Sequence, residues 1–467
     1  MPSYWSLLVG SAFKFTQNLV VERGIADAPL LRSLYYVAML LGKSKTAKSA
    51  ADTPKMGLVL PGGGARCAYQ VGVLKAVAEL MPPRAVNPFS VISGTSAGAI
   101  NSVVLATRAK SFRNAIADME LVWGHFRSEQ VFKSDAWTML CTSLRWLGAL
   151  VSGGVLVTPP KSLLNNAPLR ELLQQNVRMN YIDRSLERGY LDAIAVTAAG
   201  YDSARSVTFF QSREDVLEWE RVRRKGNQDK ITLDHLMASV AVPMVFPPVQ
   251  LGKEFFGDGA MRQATPLSPA VRLGADRILV IGVRNEEQDS LKAGAPQSPN
   301  FGRIAGYMLD ALFMDGLSAD LERLTRLNTI IANVPQKVVE NEGERLRFIE
   351  AFVILPSEDI RDIAGQHMHE LPWPVRMLLR GIGAMNTGGR QLLSYLLFES
   401  GYTRHLIDLG YRDAMANKDD LLAFMQGKDM MTEGGISGWS RLDTEYMDES
   451  NGLSIPVSAG SGEEERP

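Results

Sequence analysis

Residues 94–98 read Gly-Thr-Ser-Ala-Gly, and they sit between an apolar run at 89–92 and a small-residue stretch at 97–106. The first run has the character of a strand and the second that of a helix. A G-x-S-x-G sequence between strand and helix forces an abrupt reversal, which strains the backbone at Ser96 and pushes its hydroxyl out of the fold. Gly94 and Gly98 are required there because side chains would collide with the adjoining strand and helix. By itself the pentapeptide also fits an ordinary Gly/Ser-rich turn. Its meaning depends on what the rest of the chain brings to it.

The surrounding chain alternates between the two periodicities. Residues 56–60 read as a buried strand, 61–66 as a glycine-rich turn, and 67–80 as a helix carried by Val71, Leu74, Val77 and Ala78 and stopped by Pro82-Pro83. A helical region rich in Trp, Phe and Leu spans 108–150, with another helix at 163–176. Strands follow at 191–198 and 206–211, a helix at 233–241, a hairpin at 249–256 around Gly252-Lys253, a helix at 267–273 and a strand at 277–283. Such alternation predicts an α/β fold with a mainly parallel sheet and helices on both faces. Beyond a polar loop at 286–300, helices are expected at 303–327, 373–380, 390–397 and 402–415, and strands at 329–334 and 351–355. From Met430 the chain is rich in Gly, Ser and Glu, and a disordered tail is expected.

Four segments result. Residues 1–54 form a helical N-terminal extension and linker, 55–285 a catalytic-type α/β domain, 286–430 a C-terminal extension packed on it, and 431–467 the tail. Within the N-terminal extension, helices are expected at 5–21 and 28–41. The second is apolar around much of its circumference and is followed by Lys43, Lys45 and Lys48, which fits a membrane interface as well as a helix packed on the main domain.

Composition removes several classes. A net charge of −1 over 467 residues gives no reason to expect a nucleic-acid partner. Two cysteines, Cys67 and Cys141, exclude a disulfide scaffold. Five histidines, at 125, 235, 367, 369 and 405, lack metal-binding spacing, so no metal is expected. The start of the chain lacks the order of a secretory signal, and no apolar run approaches the roughly 20 residues that span a bilayer. A cytoplasmic protein, soluble or peripheral to a membrane, is expected.

Three features carry chemistry. Gly62-Gly63-Gly64 lies between a strand and a helix, where backbone N–H groups can approach a phosphate or the oxyanion of an acyl-transfer intermediate. A dinucleotide site is disfavoured: the acid that should hold ribose about 20 residues on falls among Pro82, Pro83, Arg84 and Ala85. Ser96, an alcohol, needs a positioned base to become a nucleophile. Asp258 stands between Gly257 and Gly259 directly after the hairpin; alone, that triplet suits a surface turn.

Taken in order, Gly62-Gly63-Gly64-Ala65-Arg66, Gly94-Thr95-Ser96-Ala97-Gly98 and Asp258-Gly259-Ala260 resemble the patatin-like phospholipases, here of bacterial type. Ala68-Tyr69-Gln70-Val71-Gly72-Val73-Leu74, Ala238-Ser239-Val240-Ala241-Val242-Pro243 and Phe246-Pro247-Pro248 add to the match, which covers about 56–283. The resemblance implies a three-layer α/β/α fold and a Ser–Asp dyad without a catalytic histidine. Ser96 would be the nucleophile, Asp258 the general base, and Gly62, Gly63, Gly64, Ala65 and Arg66 the oxyanion loop. The implied activity is hydrolysis of acyl esters of phospholipids or related lipids, with no calcium or other cofactor. Acyl transfer to another lipid, or lipid binding by a weakly catalytic scaffold, stays open, as does a triad using His367, His369 or His405, although His367-Met-His369 is expected to belong to a loop before Leu371-Pro372. One departure stands out: Cys67 occupies a position that is usually Gly in the family, and a buried structural thiol is expected. Trp123, Phe126, Phe132, Trp137 and Trp146 fit either an acyl channel or, more simply, helical core.

Overall fold

In the computed structural model the described residues are 54–134, 162–284, 301–313, 315–333, 347–386, 389–428 and 433–438. From Lys55 onward they belong to one compact unit. The helices expected at 5–21 and 28–41, and the part of the 108–150 region after Ser134, lie outside them.

Among the described residues, eleven strands form one mixed sheet: β1 (Met56–Leu60), β2 (Val91–Thr95), β3 (Ala193–Gly200), β4 (Ser206–Ser212), β5 (Trp219–Glu220), β6 (Arg224–Gln228), β7 (Val249–Leu251), β8 (Glu254–Asp258), β9 (Arg277–Ile281), β10 (Glu350–Ile354) and β11 (Ile436–Ser437). Their order is β11-β10-β9-β1-β2-β3-β4-β6-β5, with β8 paired to β3 and β7 to β8. The six strands from β11 to β3 run parallel, whereas β4 and β8 pair with β3 antiparallel. The central strands are buried on both faces, which is why they read as continuous apolar runs.

The strand period of two sorts each run into two cores. Leu58, Leu60, Ile92, Ile194 and Leu279 face one side, packed with α1 (Ala68–Leu80), α2 (Ala97–Thr107) and α3 (Phe112–Gly124). Val59, Val91, Ala193, Ile278 and Val280 face the other, against the helix Ser268–Arg272 and a long helix over Asp315–Asn333. The expected three-layer α/β/α arrangement is present.

Two helices of the C-terminal part, Arg390–Leu396 and Ser400–Ala416, also join the first face. The second of these crosses α1 at backbone contact. A Cβ on Gly72 would lie 2.0 Å from the Ile407 carbonyl oxygen, and one on Gly410 would lie 2.2 Å from that of Tyr69.

Three expectations need correction. The run 329–334 is no strand. Thr329–Asn333 is the last part of the Asp315–Asn333 helix, whose buried Leu317, Leu321, Leu324 and Asn328 keep helical spacing while Ile330 faces solvent. His367-Met-His369 is not a loop: His367 ends the helix Ile360–His367, and Met368–Glu370 is a 3₁₀ turn. The expected disorder after Met430 does not hold at Ile436–Ser437, which pair parallel with β10.

Candidate active site

Register brings the three motifs together. Leu60 pairs with Gly94, so the glycine loop and Ser96 leave neighbouring parallel strands at their carboxyl ends. β3 continues past the end of β2: Thr95 pairs with Thr197, and the surplus residues Ala198–Gly200 pair instead with β8, antiparallel. Asp258 therefore sits opposite Ala198, just beyond the point where β2 stops and Ser96 turns away.

Ser96 has φ 55° and ψ −132°, a left-handed conformation that costs a non-glycine residue energy. Surrounding contacts hold it there. Its N–H donates to Ser239 Oγ at 2.8 Å, and that hydroxyl donates to the Thr197 carbonyl at 2.7 Å. A Cβ on Gly94 would lie 2.3 Å from Ser102 Oγ, and one on Gly98 would lie 2.2 Å from the Leu60 carbonyl. The reversal thus accepts no side chain at either glycine.

Ser96 Oγ donates to Asp258 Oδ2 at 2.6 Å, and both residues are almost fully buried, at 2% and 1% exposed. Asp258 Oδ1 accepts the Ala260 N–H at 3.0 Å, and the Asp258 N–H donates to the Ala241 carbonyl at 2.8 Å. Gly259 lets this turn lie against β3, since a Cβ there would fall 2.1 Å from the Thr197 carbonyl. Burial pushes the Asp258 carboxyl up to about 7, while the Ser96 and Ala260 hydrogen bonds hold it back. A carboxylate in that range can exchange a proton with an alcohol near neutral pH.

None of the five histidines hydrogen-bonds to Ser96. His367 pairs with Glu370 at 2.7 Å and His405 at 3.3 Å, while His369 contacts the Gln366 carbonyl. His235 is buried beside Phe209, and desolvation lowers its pKa despite nearby Asp229 and Asp234. These partners leave the carboxylate as the group hydrogen-bonded to the Ser96 hydroxyl.

The glycine loop divides in two. Gly64, at φ 55°, lines the groove beside Ser96, and a Cβ on it would lie 2.4 Å from the Tyr395 carbonyl. Gly62 and Gly63 are buried behind it. Gly64–Cys67 form a 3₁₀ turn; its first amides, from Gly64 and Ala65, have no acceptor within the turn. Arg66 behaves differently from the expectation. Its N–H donates to the Gly63 carbonyl at 3.1 Å, and its guanidinium is held in a buried cluster. There it reaches Asp310 Oδ1 at 3.0 Å, Ser394 Oγ at 2.9 Å and the Tyr395 ring at 3.8 Å. Asp310 also faces Arg284 at 3.3 Å and accepts from Tyr395 and Gln391. Arg66 is an anchor for the loop, not a donor in it.

Cys67 adopts ordinary helical φ, −66°, so the extra side chain causes no strain. Its thiol is buried against the Pro61 carbonyl at 3.7 Å, and burial raises its pKa, which keeps it protonated and inert. Cys141 lies outside the described residues.

Over Ser96 opens an apolar groove of about 200 Å³. Ile100 and Val104 of α2, Met119 and Trp123 of α3, and Leu169 and Leu173 of the helix Ala167–Asn176 form its walls, with Leu309, Tyr395, Leu396 and Phe398 from the C-terminal part. Trp123 and Phe126 line it, whereas Phe132 is core packed on Phe246; Trp137 and Trp146 are outside the described residues. Trp123 is also the end of a buried chain: its indole donates to Asn101, Asn101 to Gln70, and Gln70 to the Pro61 carbonyl, at 2.9, 3.0 and 2.9 Å. This chain links the glycine loop to α1, α2 and α3. Among the described residues no group of three His, Cys, Asp or Glu is placed to hold a metal ion, and no helix is long and apolar enough to cross a membrane.

A serine on a strained strand-to-helix turn, bonded to one buried carboxylate below an apolar groove, belongs to the class of α/β folds that present a serine at the carboxyl end of a parallel sheet. Within that class, residues 58–271 match the model of the patatin-like phospholipases, and the chain carries a domain of that family. Similar solved structures include VipD from Legionella pneumophila, at 12% identity over 82% of this chain and 73% of that one, with a TM-score of 0.30. The ExoU–SpcU complex of the type III secretion system of Pseudomonas aeruginosa aligns at 16% identity over 82% and 74%, with a TM-score of 0.23. Scores at that level do not define a shared fold over the whole chain. No curated protein matches the sequence at a significant level.

Proposed function

We propose that the protein is a serine lipid acyl hydrolase that cleaves acyl esters of phospholipids or related lipids, with Ser96 as nucleophile and Asp258 as the sole general base. The reading rests on one observation: the 2.6 Å hydrogen bond from the strained Ser96 hydroxyl to a carboxylate whose pKa burial lifts to about 7. Asp258 takes the Ser96 proton as Oγ attacks the ester carbonyl, and the alcohol leaves with a proton returned from the carboxyl. The amides of Gly64 and Ala65 hold the oxyanion of both tetrahedral intermediates. Water, deprotonated by the same carboxylate, then releases the fatty acid and frees Ser96. The apolar lining supports a lipid acyl group as ligand, since it offers a polar substrate few partners for lost hydration. The enzyme would then work at a lipid surface as a peripheral protein.

Incubation with a fluorophosphonate probe and with a phospholipid panel, followed by mass spectrometry, tests this. Labelling and fatty-acid release are expected in the wild type. Both should be lost in Ser96→Ala, and hydrolysis should fall by about 10³-fold or more in Asp258→Asn. Equal hydrolysis by either variant would sink the assignment.

A further inference from the structure

The groove has a direction. α2 starts at Ser96, and its groove-lining residues Ala97, Ile100, Val104 and Arg108 recur at helical spacing along one stripe. At 1.5 Å per residue, Ile100 lies about 6 Å, Val104 about 12 Å and Arg108 about 18 Å along the helix from Ser96. α3 runs antiparallel beside it: Trp123 bonds Asn101 near the serine, while Asp118 pairs with Arg108 at the far end. Between these ends the stripe is apolar. At the far end Arg108 and Asp118 both line the groove and are about half exposed, 45% and 43%. A ligand that fills this shape is long, narrow and apolar, and it ends at an ion pair in water.

We infer that this stripe of α2 measures the acyl chain: the ester carbonyl sits at Ser96, the hydrocarbon lies along Ile100 and Val104, and its methyl end reaches Arg108–Asp118. The preferred substrates are therefore esters of long-chain fatty acids, and Val104 sets the usable depth. This rests on the hydrolase reading above. Each methylene buried along the stripe is worth up to roughly fourfold in binding, so preference accumulates with chain length until the chain emerges past Arg108. A headgroup in this position would leave its polar atoms facing Ile100, Val104 and Met119 without partners.

The test uses the full-length protein and the p-nitrophenyl esters of butyrate, octanoate and palmitate in mixed micelles of one composition. Ratios of kcat/KM are read within each variant, which cancels differences in the folded fraction. The wild-type palmitate-to-butyrate ratio is expected at about tenfold or more. Val104→Trp should lower that ratio about tenfold and spare octanoate-to-butyrate, whereas Ile100→Trp, one turn nearer Ser96, should lower both. Val104→Met, with less added bulk, gives a smaller fall in the same direction should the tryptophan variant not fold. Flat ratios in the wild type, or Trp variants within about twofold of it, overturn the ruler and leave the hydrolase reading standing. No turnover of any ester, with Ser96 unreactive toward fluorophosphonate, overturns both.

Discussion

Asp258 and Asp310 are both almost fully buried, and their surroundings are opposite. Asp258 is met only by neutral donors, the Ser96 hydroxyl and the Ala260 amide, so its charged form is penalised and its pKa climbs to about 7. Asp310 is equally buried but faces two guanidinium groups, Arg66 and Arg284, together with the Tyr395 hydroxyl. Burial by itself therefore decides little. A carboxylate left without a counter-charge becomes a proton acceptor at neutral pH, whereas one given two cations becomes a fastener. Here the fastener holds the loop that serves the acceptor, because Arg66 belongs to both regions.

The sharpest way to break this contrast is to neutralise each acid and compare the signs. Asp310→Asn leaves Arg66 buried without its ion-pair partner and should cost about 3–5 kcal/mol of stability, read by chemical denaturation. Asp258→Asn should act the other way. The folded pKa of Asp258 lies above its ordinary 3.8, so its contribution to stability is complete below about 4 and is lost as pH rises through about 7. The asparagine variant should accordingly melt higher than wild type at alkaline pH, by less as pH falls from about 7, and nearly alike at about pH 4 and below. A destabilised Asp258→Asn at alkaline pH would remove the contrast.

The same shift predicts the pH profile. Ester kcat/KM should rise as Asp258 ionises, half-maximal near 7 and then level; a profile flat between about pH 5 and 9 would exclude this carboxyl as the base. The smallest effect is expected at Ser239, whose hydroxyl holds the strained Ser96 amide. Ser239→Ala should lower kcat about tenfold with KM nearly unchanged, the scale of one lost hydrogen bond.

The acceptor half of this comparison was legible from sequence for a physical reason. Gly94, Gly98 and Gly259 mark places where backbone presses on backbone, and that requirement is written locally in residue type. The fastener half was not. Arg66 meets Asp310 across 244 positions and Ser394 across 328, and nothing near either partner announces the other. Gly72 and Gly410, which let a C-terminal helix cross α1 at contact distance, read as ordinary helical glycines. Thr329-Ile330-Ile331 misled because β-branched residues favour strands, although the longer leucine spacing before them is helical. Trp123 fitted core and channel equally, and its two ends serve both: the ring lines the groove and the N–H ties Asn101.

β3 outlasts β2 by three residues, and β8 takes up the vacancy. Ser96 and Asp258 are thus spaced by the ladder of a sheet and not by the posture of a loop. The side chains that line the groove can be replaced or repacked while this distance stays fixed, since it changes only if strands slide. Sliding by a single residue would turn Asp258 to the opposite face of the sheet, so there is no partly misaligned form of the pair to occupy. In the proposed mechanism the proton's path would inherit the stiffness of the scaffold, and fitting one acyl group or another would fall to the helices that line the groove.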